Sequence, residues 1–164
     1  MDRARFELLQ AMPIFGGVSD ATLDFLLSQT RSIVVAEGGF YFREGDEPTG
    51  VYILEKGRVA VCRKWDGRNI VMRHLSQGDC FGEMALMDLQ PRSASIRATV
   101  DSQAIELMPD SLYRLYERDV EQFALIQMNM GREVCRRLRL ADEDMFRARM
   151  EAAPDSDDTI IRTR

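Results

Sequence analysis

The chain has 164 residues, 45% of them apolar and 30% charged, the balance of a soluble globular domain of ordinary size. Aspartate and glutamate outnumber lysine and arginine by 27 to 22, and the net charge of −5 argues against duplex DNA, because phosphate binding leaves a basic footprint. No apolar run approaches the roughly 18 residues of a membrane span, and the start Met1-Asp2-Arg3-Ala4-Arg5 lacks a secretory segment.

The scattered cysteines Cys62, Cys80 and Cys135 read as reduced thiols in a cytoplasm. With one histidine, His74, and no Cys-x-x-Cys pair, a metal site or a Ser-His-Asp constellation has too few members, so an enzyme is the weaker expectation. In chain order, Phe6, Leu8, Leu9 and Met12 have helical spacing, with Asp2 as a cap. Ile14-Phe15-Gly16-Gly17 breaks that helix, and Ser19 and Asp20 open a second one around Leu23, Phe25, Leu26 and Leu27. These helices fill residues 1–30.

From about Arg31 the period changes. Apolar runs at Ile33–Ala36, Gly50–Leu54, Arg58–Lys64 and Asn69–Leu75 lie between glycine turns at Gly38, Gly45, Gly57, Gly67 and Gly78. Val59 and Val61 alternate with Arg58, Ala60 and Cys62, the pattern of a half-exposed strand. Ser93–Ala98 and Ser102–Met108 add further strands. About eight strands over 31–109 imply an antiparallel jelly-roll barrel, mainly β with flanking helices (α+β).

Pro109 ends the β region, Asp110 is placed to cap a short helix through Tyr116, and Asp119 with Gln122 suggests a capping box. A long helix follows, from about Val120 to Met150, with Phe123, Ile126, Met130, Val134, Leu138, Ala141 and Met145 on one stripe. Such a stripe is expected to pack in part on the barrel and in part on a second copy, as a homodimer helix. Arg132, Arg136, Arg137 and Arg139 read as its solvated face, and Met128 and Met130 as packing. The tail 151–164, with Asp155-Ser156-Asp157-Asp158, reads as disordered and acidic.

The chemistry concentrates in Cys80-Phe81-Gly82-Glu83-Met84-Ala85-Leu86-Met87-Asp88-Leu89-Gln90-Pro91-Arg92-Ser93-Ala94. A glycine turn leads into one helical turn at Glu83–Met87, whose free N–H groups suit an anion. Arg92, held by Pro91 at the start of the next strand, is placed to give that anion a forked, charge-assisted contact, and Glu83 to accept a hydroxyl. A phosphate next to a ribose hydroxyl fits both groups.

The segment resembles the phosphate-binding cassette (81–94) of the cyclic nucleotide-binding domain family, found in catabolite gene activator protein and in regulatory subunits of cAMP-dependent kinase. The family pattern Phe-Gly-Glu-Leu-Ala-Leu, spacer, Pro-Arg stands here as Phe81–Leu86, with Met84 for leucine, and Pro91-Arg92-Ser93-Ala94. The resemblance implies that Arg92 pairs with the exocyclic phosphate oxygens and Glu83 with the ribose 2′-hydroxyl. It also implies that N–H groups of Gly82, Ala85, Ser93 and Ala94 complete the cradle, and that Met72 and Arg73 lie along the base. Ser93 matches the cAMP-binding activators, which favours cAMP over cGMP. Arg136-Arg137-Leu138 also resembles those activators, whereas their Thr-Ser pair is replaced by Ala141 and Asp142; the Asp142 carboxylate is a candidate acceptor from either purine.

Activators of this family carry a DNA-binding domain after the long helix; only 14 residues follow Met150. The expectation is therefore a stand-alone sensor of the bacterial type without nucleic-acid, membrane or metal partners, signalling to an unidentified effector protein by repositioning the C-terminal helices (110–150). A protein-interaction module that uses the fold without a nucleotide is the alternative.

Overall fold

A computed structural model describes residues 3–152. Asp2 and residues 153–164, which hold most of the expected tail, lie outside the described residues. Helix α1 (Arg3–Gln10), a 3₁₀ turn (Pro13–Phe15) and α2 (Asp20–Ser28) precede the β region. Ser19 caps α2 as expected, its hydroxyl accepting from the Thr22 N–H.

Eight strands follow among the described residues: β1 (Arg31–Val35), β2 (Phe40–Phe42), β3 (Val51–Lys56), β4 (Arg58–Trp65), β5 (Arg68–Ser76), β6 (Cys80–Phe81), β7 (Ser95–Ala98) and β8 (Ser102–Leu107). They form two four-stranded antiparallel sheets, ordered β1-β8-β3-β6 and β2-β7-β4-β5. Helix α3 (Met84–Asp88) lies between β6 and β7, and α4 (Pro109–Arg118) and α5 (Val120–Ala152) close the chain.

Strand β3 is buried along both faces, and its period of two separates two cores. Tyr52 and Leu54 join Val59, Leu75, Phe81, Ile96 and Ala104 between the sheets. Val51 and Ile53 face the helices with Leu9, Phe15, Leu23, Leu26, Leu115 and Ile126. The N-terminal helices and the start of α5 therefore share one core. Asn129, buried on α5, fastens them further by donating to the carbonyls of Ile14 (3.3 Å) and Gly16 (2.9 Å).

Three local expectations are corrected. Ala60 and Cys62 are buried along with Val59, because β4 is an inner strand and Ala60 is shaded by its long cross-strand neighbours His74 and Arg97. Asp110 sits in the first turn of α4 and does not cap it; Met108 occupies the cap position without a side-chain bond and Pro109 starts the helix, where a missing N–H costs nothing. The box at Asp119 is half formed: its carboxylate accepts from the Gln122 N–H, but the Gln122 amide oxygen accepts from Ser19 N–H instead of turning back. The α5 stripe packs on this chain in part, as expected: it is buried at Ile126 and Met130 and exposed at Leu138 and Met145.

The β3–β4 connection is the tightest turn. Gly57 has φ +89°, and a Cβ there would lie 2.5 Å from the Asp101 carbonyl oxygen and 2.8 Å from Ser102 Cα. Gly67, with φ +71°, has open space around the same position. Gly67→Ala should therefore lose only the left-handed backbone penalty, about 1–2 kcal/mol. Gly57→Ala should lose clearly more, because backbone has to move. Urea unfolding of both variants checks this, and equal losses would contradict it.

Candidate functional site

The site is built where β6 hands over to α3. Gly82 takes φ +83°, and a Cβ there would stand 2.6 Å from Arg92 Nη1 and 3.2 Å from the Gly50 carbonyl oxygen. Glycine is thus needed both for the turn and for the close approach of the arginine. Helix α3 starts at Met84, one residue later than expected, with Glu83 in its cap position. It ends on Leu89, in the left-handed region at φ 54°.

Arg92 is 3% exposed and lines the cleft beside Phe42. Its backbone is clipped to the Gly45 turn in both directions, donating to Asp46 O and accepting from Gly45 N, each at 2.8 Å. The guanidinium donates from Nη1 to Gly82 O (2.9 Å) and from Nη2 to Gly50 O (2.8 Å), and packs 4.0 Å above the Phe42 ring. Its Nε–H is buried without a partner among the described residues. Two of five donors therefore rest on carbonyls, and burial pulls its pKa down against the more distant pull of Tyr52, Glu106, Asp46 and Glu83. An orphaned donor on a buried cation fits an anionic group at this position.

Glu83 is 2% exposed, and its carboxylate pairs with Arg137 of α5. Arg137 also donates from Nε to Glu133 (2.9 Å) and from Nη2 to Cys80 O (3.2 Å). Glu133 in turn takes two bonds from Arg136, which holds its carboxyl below the usual range. Burial, reinforced by Glu83, pushes the neighbouring Cys80 thiol up to about 12, so it stays a neutral packing group.

Arg137 corrects the expectation of a solvated arginine face. Arg132, Arg136 and Arg139 are exposed, but the Arg137 side chain retains only 16% of its exposure and reaches the cassette. The resemblance at Arg136-Arg137-Leu138 was the available signal for it.

Gly82, Glu83, Arg92, Ser93, Ala94 and Arg73 line one cleft of about 530 Å³, partly open to solvent, together with Val61, Ile96 and Arg137. Phe42 and Phe81 form its apolar wall, backed by Tyr52, whose ring stacks on Phe81 at 5.3 Å. Ala85 stands in the first turn of α3.

Two predicted site residues are not brought to the cleft. Val61 pairs with Arg73 and Cys62 with Val71, so Met72 is the extra residue of a β-bulge and points into solvent at 61% exposure. Asp142 is five residues beyond Arg137, about 140° further round the helix, and is exposed. Arg73 does line the cleft and makes no hydrogen bond or ion pair among the described residues; burial and the nearby Arg137 charge lower its pKa. His74 is an exposed strand residue; Cys62 and Cys80 are buried and Cys135 exposed, all as free thiols. Among the described residues no group of three His, Cys, Asp or Glu is placed to hold a metal ion, and no helix is long and apolar enough to cross a membrane.

Comparison with known proteins adds to this geometry. The "Cyclic AMP receptor protein" of Thermus thermophilus is 29% identical over 138 residues, which cover 84% of this chain and 62% of that protein. The chain thus spans less than two thirds of this relative's length. The crystal structure of the Thermus thermophilus catabolite activator protein superposes with a TM-score of 0.71 at 30% identity, over 81% of this chain and 61% of that one. A cyclic nucleotide-binding domain from Methylobacillus flagellatus shares the fold with a TM-score of 0.78 at 20% identity, over 89% of this chain and 83% of that one. The family model for the cyclic nucleotide-binding domain matches residues 33–119, from β1 to the end of α4, and so takes in the whole cassette: the chain belongs to the cyclic nucleotide-binding domain family.

Proposed function

We propose that the chain is a sensor, not an enzyme, which binds a cyclic purine nucleotide, cAMP in preference to cGMP, and passes the event on through α5. One observation carries the reading. Arg92 is a buried cation bonded to two carbonyls, with a third donor unpartnered. Leaving a charge in that state is expensive, and an anion of matching geometry relieves the cost. A guanidinium fork suits the two exocyclic oxygens of a phosphodiester.

The remaining contacts follow from the cleft. Glu83 accepts the ribose 2′-hydroxyl, and N–H groups of Gly82, Ala85, Ser93 and Ala94 surround the phosphate. Phe42 and Phe81 give the sugar and base an apolar wall. Met72 and Asp142, outside the cleft, make no contact in this reading. Ser93 and the cyclic AMP receptor protein among the relatives support cAMP. A second reading, cGMP, rests on Arg73: its unpaired guanidinium offers donors only, and guanine presents two acceptors, O6 and N7, where adenine sets a donor beside N7.

Output follows from Glu83 having two claimants. Its carboxylate holds Arg137 in this structure, and a bound ribose competes for or reorganises that pair. Because Arg137 lies on α5, ligand binding is converted into a bias on the helix. A hundredfold difference in nucleotide affinity between two helix positions corresponds to roughly 2.7 kcal/mol, which one or two charge-assisted bonds supply. The exposed stripe from Leu138 to Phe146 is then the surface offered to an effector protein or a second copy in the cytoplasm.

Arg92→Gln should weaken cAMP and cGMP alike by about 10- to 150-fold, the loss of one charge-assisted hydrogen bond at roughly 1.5–3 kcal/mol, without lowering stability. Calorimetric titration of the native chain and this variant with both nucleotides measures this and ranks cAMP against cGMP; unchanged affinity would leave only the nucleotide-independent interaction module.

Arg137→Gln should retain binding within about tenfold while uncoupling the helix. In hydrogen exchange, nucleotide should alter the amides of residues 134–150 in the native chain but not in this variant. The same response in both would place the coupling elsewhere.

A further inference from the structure

The β4–β5 hairpin takes no part in the cleft beyond Val61 and Arg73, and its composition differs from the rest of the chain. Residues 56–74 hold six of the 22 lysines and arginines but one of the 27 aspartates and glutamates, leaving +5 on this ribbon and −10 elsewhere. The register pairs Arg63 with Ile70 and Trp65 with Arg68, so these four side chains share one face. Trp65 is 76% exposed, and Ile70, Val71 and Met72 are exposed as well. Lys64 and Arg68 make no ion pair among the described residues; Arg63 makes only an exposed one with Glu44, at 3.6 Å.

Strand β5 is also the edge of its sheet. It pairs with β4 alone, and every residue but Leu75 is exposed over nine residues. In an antiparallel pair alternate residues turn their N–H and C=O groups away from the partner strand, so Arg68–Met72 offers a row of backbone donors and acceptors. Such a row accepts an added strand. The charges decide which strand: a second copy of this basic ribbon is repelled, whereas an acidic one is attracted.

We propose that the edge of β5, from Arg68 to Met72, is a docking site for an extended acidic segment of a partner protein, which adds as a further strand. Its carboxylates meet Arg63 and Arg68 on the face those residues share with Trp65 and Ile70, and its alternate apolar side chains lie on the opposite face beside Val71. The surface is separate from the nucleotide cleft, so its occupation does not depend on the nucleotide reading.

Trp65 is the only tryptophan of the chain, so intrinsic fluorescence reports directly from the ribbon. The full chain is titrated with a blocked nine-residue peptide of alternating Glu and Val. Its counterparts are an alternating Lys and Val peptide, the acidic peptide with a central proline, oligothymidylate, and vesicles of phosphatidylserine and phosphatidylcholine. The acidic peptide should change Trp65 emission saturably and bind at least tenfold tighter than the proline form, with affinity falling as salt rises. Arg63→Glu with Lys64→Glu and Arg68→Glu should reduce binding at least tenfold.

Hydrogen exchange on the unmutated chain supplies a second readout, in which the acidic peptide should protect amides of residues 68–72. Equal binding of the proline form, tighter binding of oligothymidylate or of vesicles, or no protection at 68–72 would each overturn the proposal.

Discussion

The cleft is organised around one buried cation. Arg92 lines the cleft with two bonds to carbonyls and an Nε that has no partner among the described residues, over the face of Phe42. Much of the surrounding architecture serves to hold it. The Gly45 turn grips its backbone from both sides, and Gly82 withholds a side chain that would collide with its Nη1. Gly50 brings a carbonyl to it from the head of β3. A cation fixed this firmly, without a carboxylate on it, is organised in advance for an anion, and so contributes affinity without a further ordering cost.

The same constraint explains how a body of net charge −5 can attract an anionic ligand. The attraction is local, and the low dielectric beneath the cleft strengthens it. Glu83 then ties the pocket to α5. Its partner Arg137 is held by Glu133 one turn earlier and by the Cys80 carbonyl, so the ion pair fastens the helix to the end of β6. Asn129 fastens the same helix to the N-terminal turn. In the proposed reading, a change at the ribose reaches α5 and, through Asn129, the N-terminal turn.

The sequence made legible what is local. Gly82, Glu83 and Arg92 lie within eleven residues and carry their roles in residue type and spacing. The longer strands and all five helices were legible from period and punctuation. The strands β2 and β6, three and two residues long, offer too little pattern to distinguish them from turns. Met72 stands outside the cleft because a bulge changes which side chain faces it, and bulges are set by pairing between strands. Arg137 was hidden for a similar reason: its partner Glu83 lies 54 residues away, and an arginine beside two others on a helix has the signature of a solvated face. Long-range pairing, not local propensity, decides both.

The central claim is that the cleft is built around a phosphate. Calorimetric titration of the nucleotide-free chain with cAMP and with adenosine, which keeps base and ribose but lacks the phosphate, tests it most directly. The account predicts that cAMP binds at least a hundredfold tighter than adenosine, the equivalent of about 2.7 kcal/mol carried by the Arg92 contacts. Affinities within threefold of each other would contradict it.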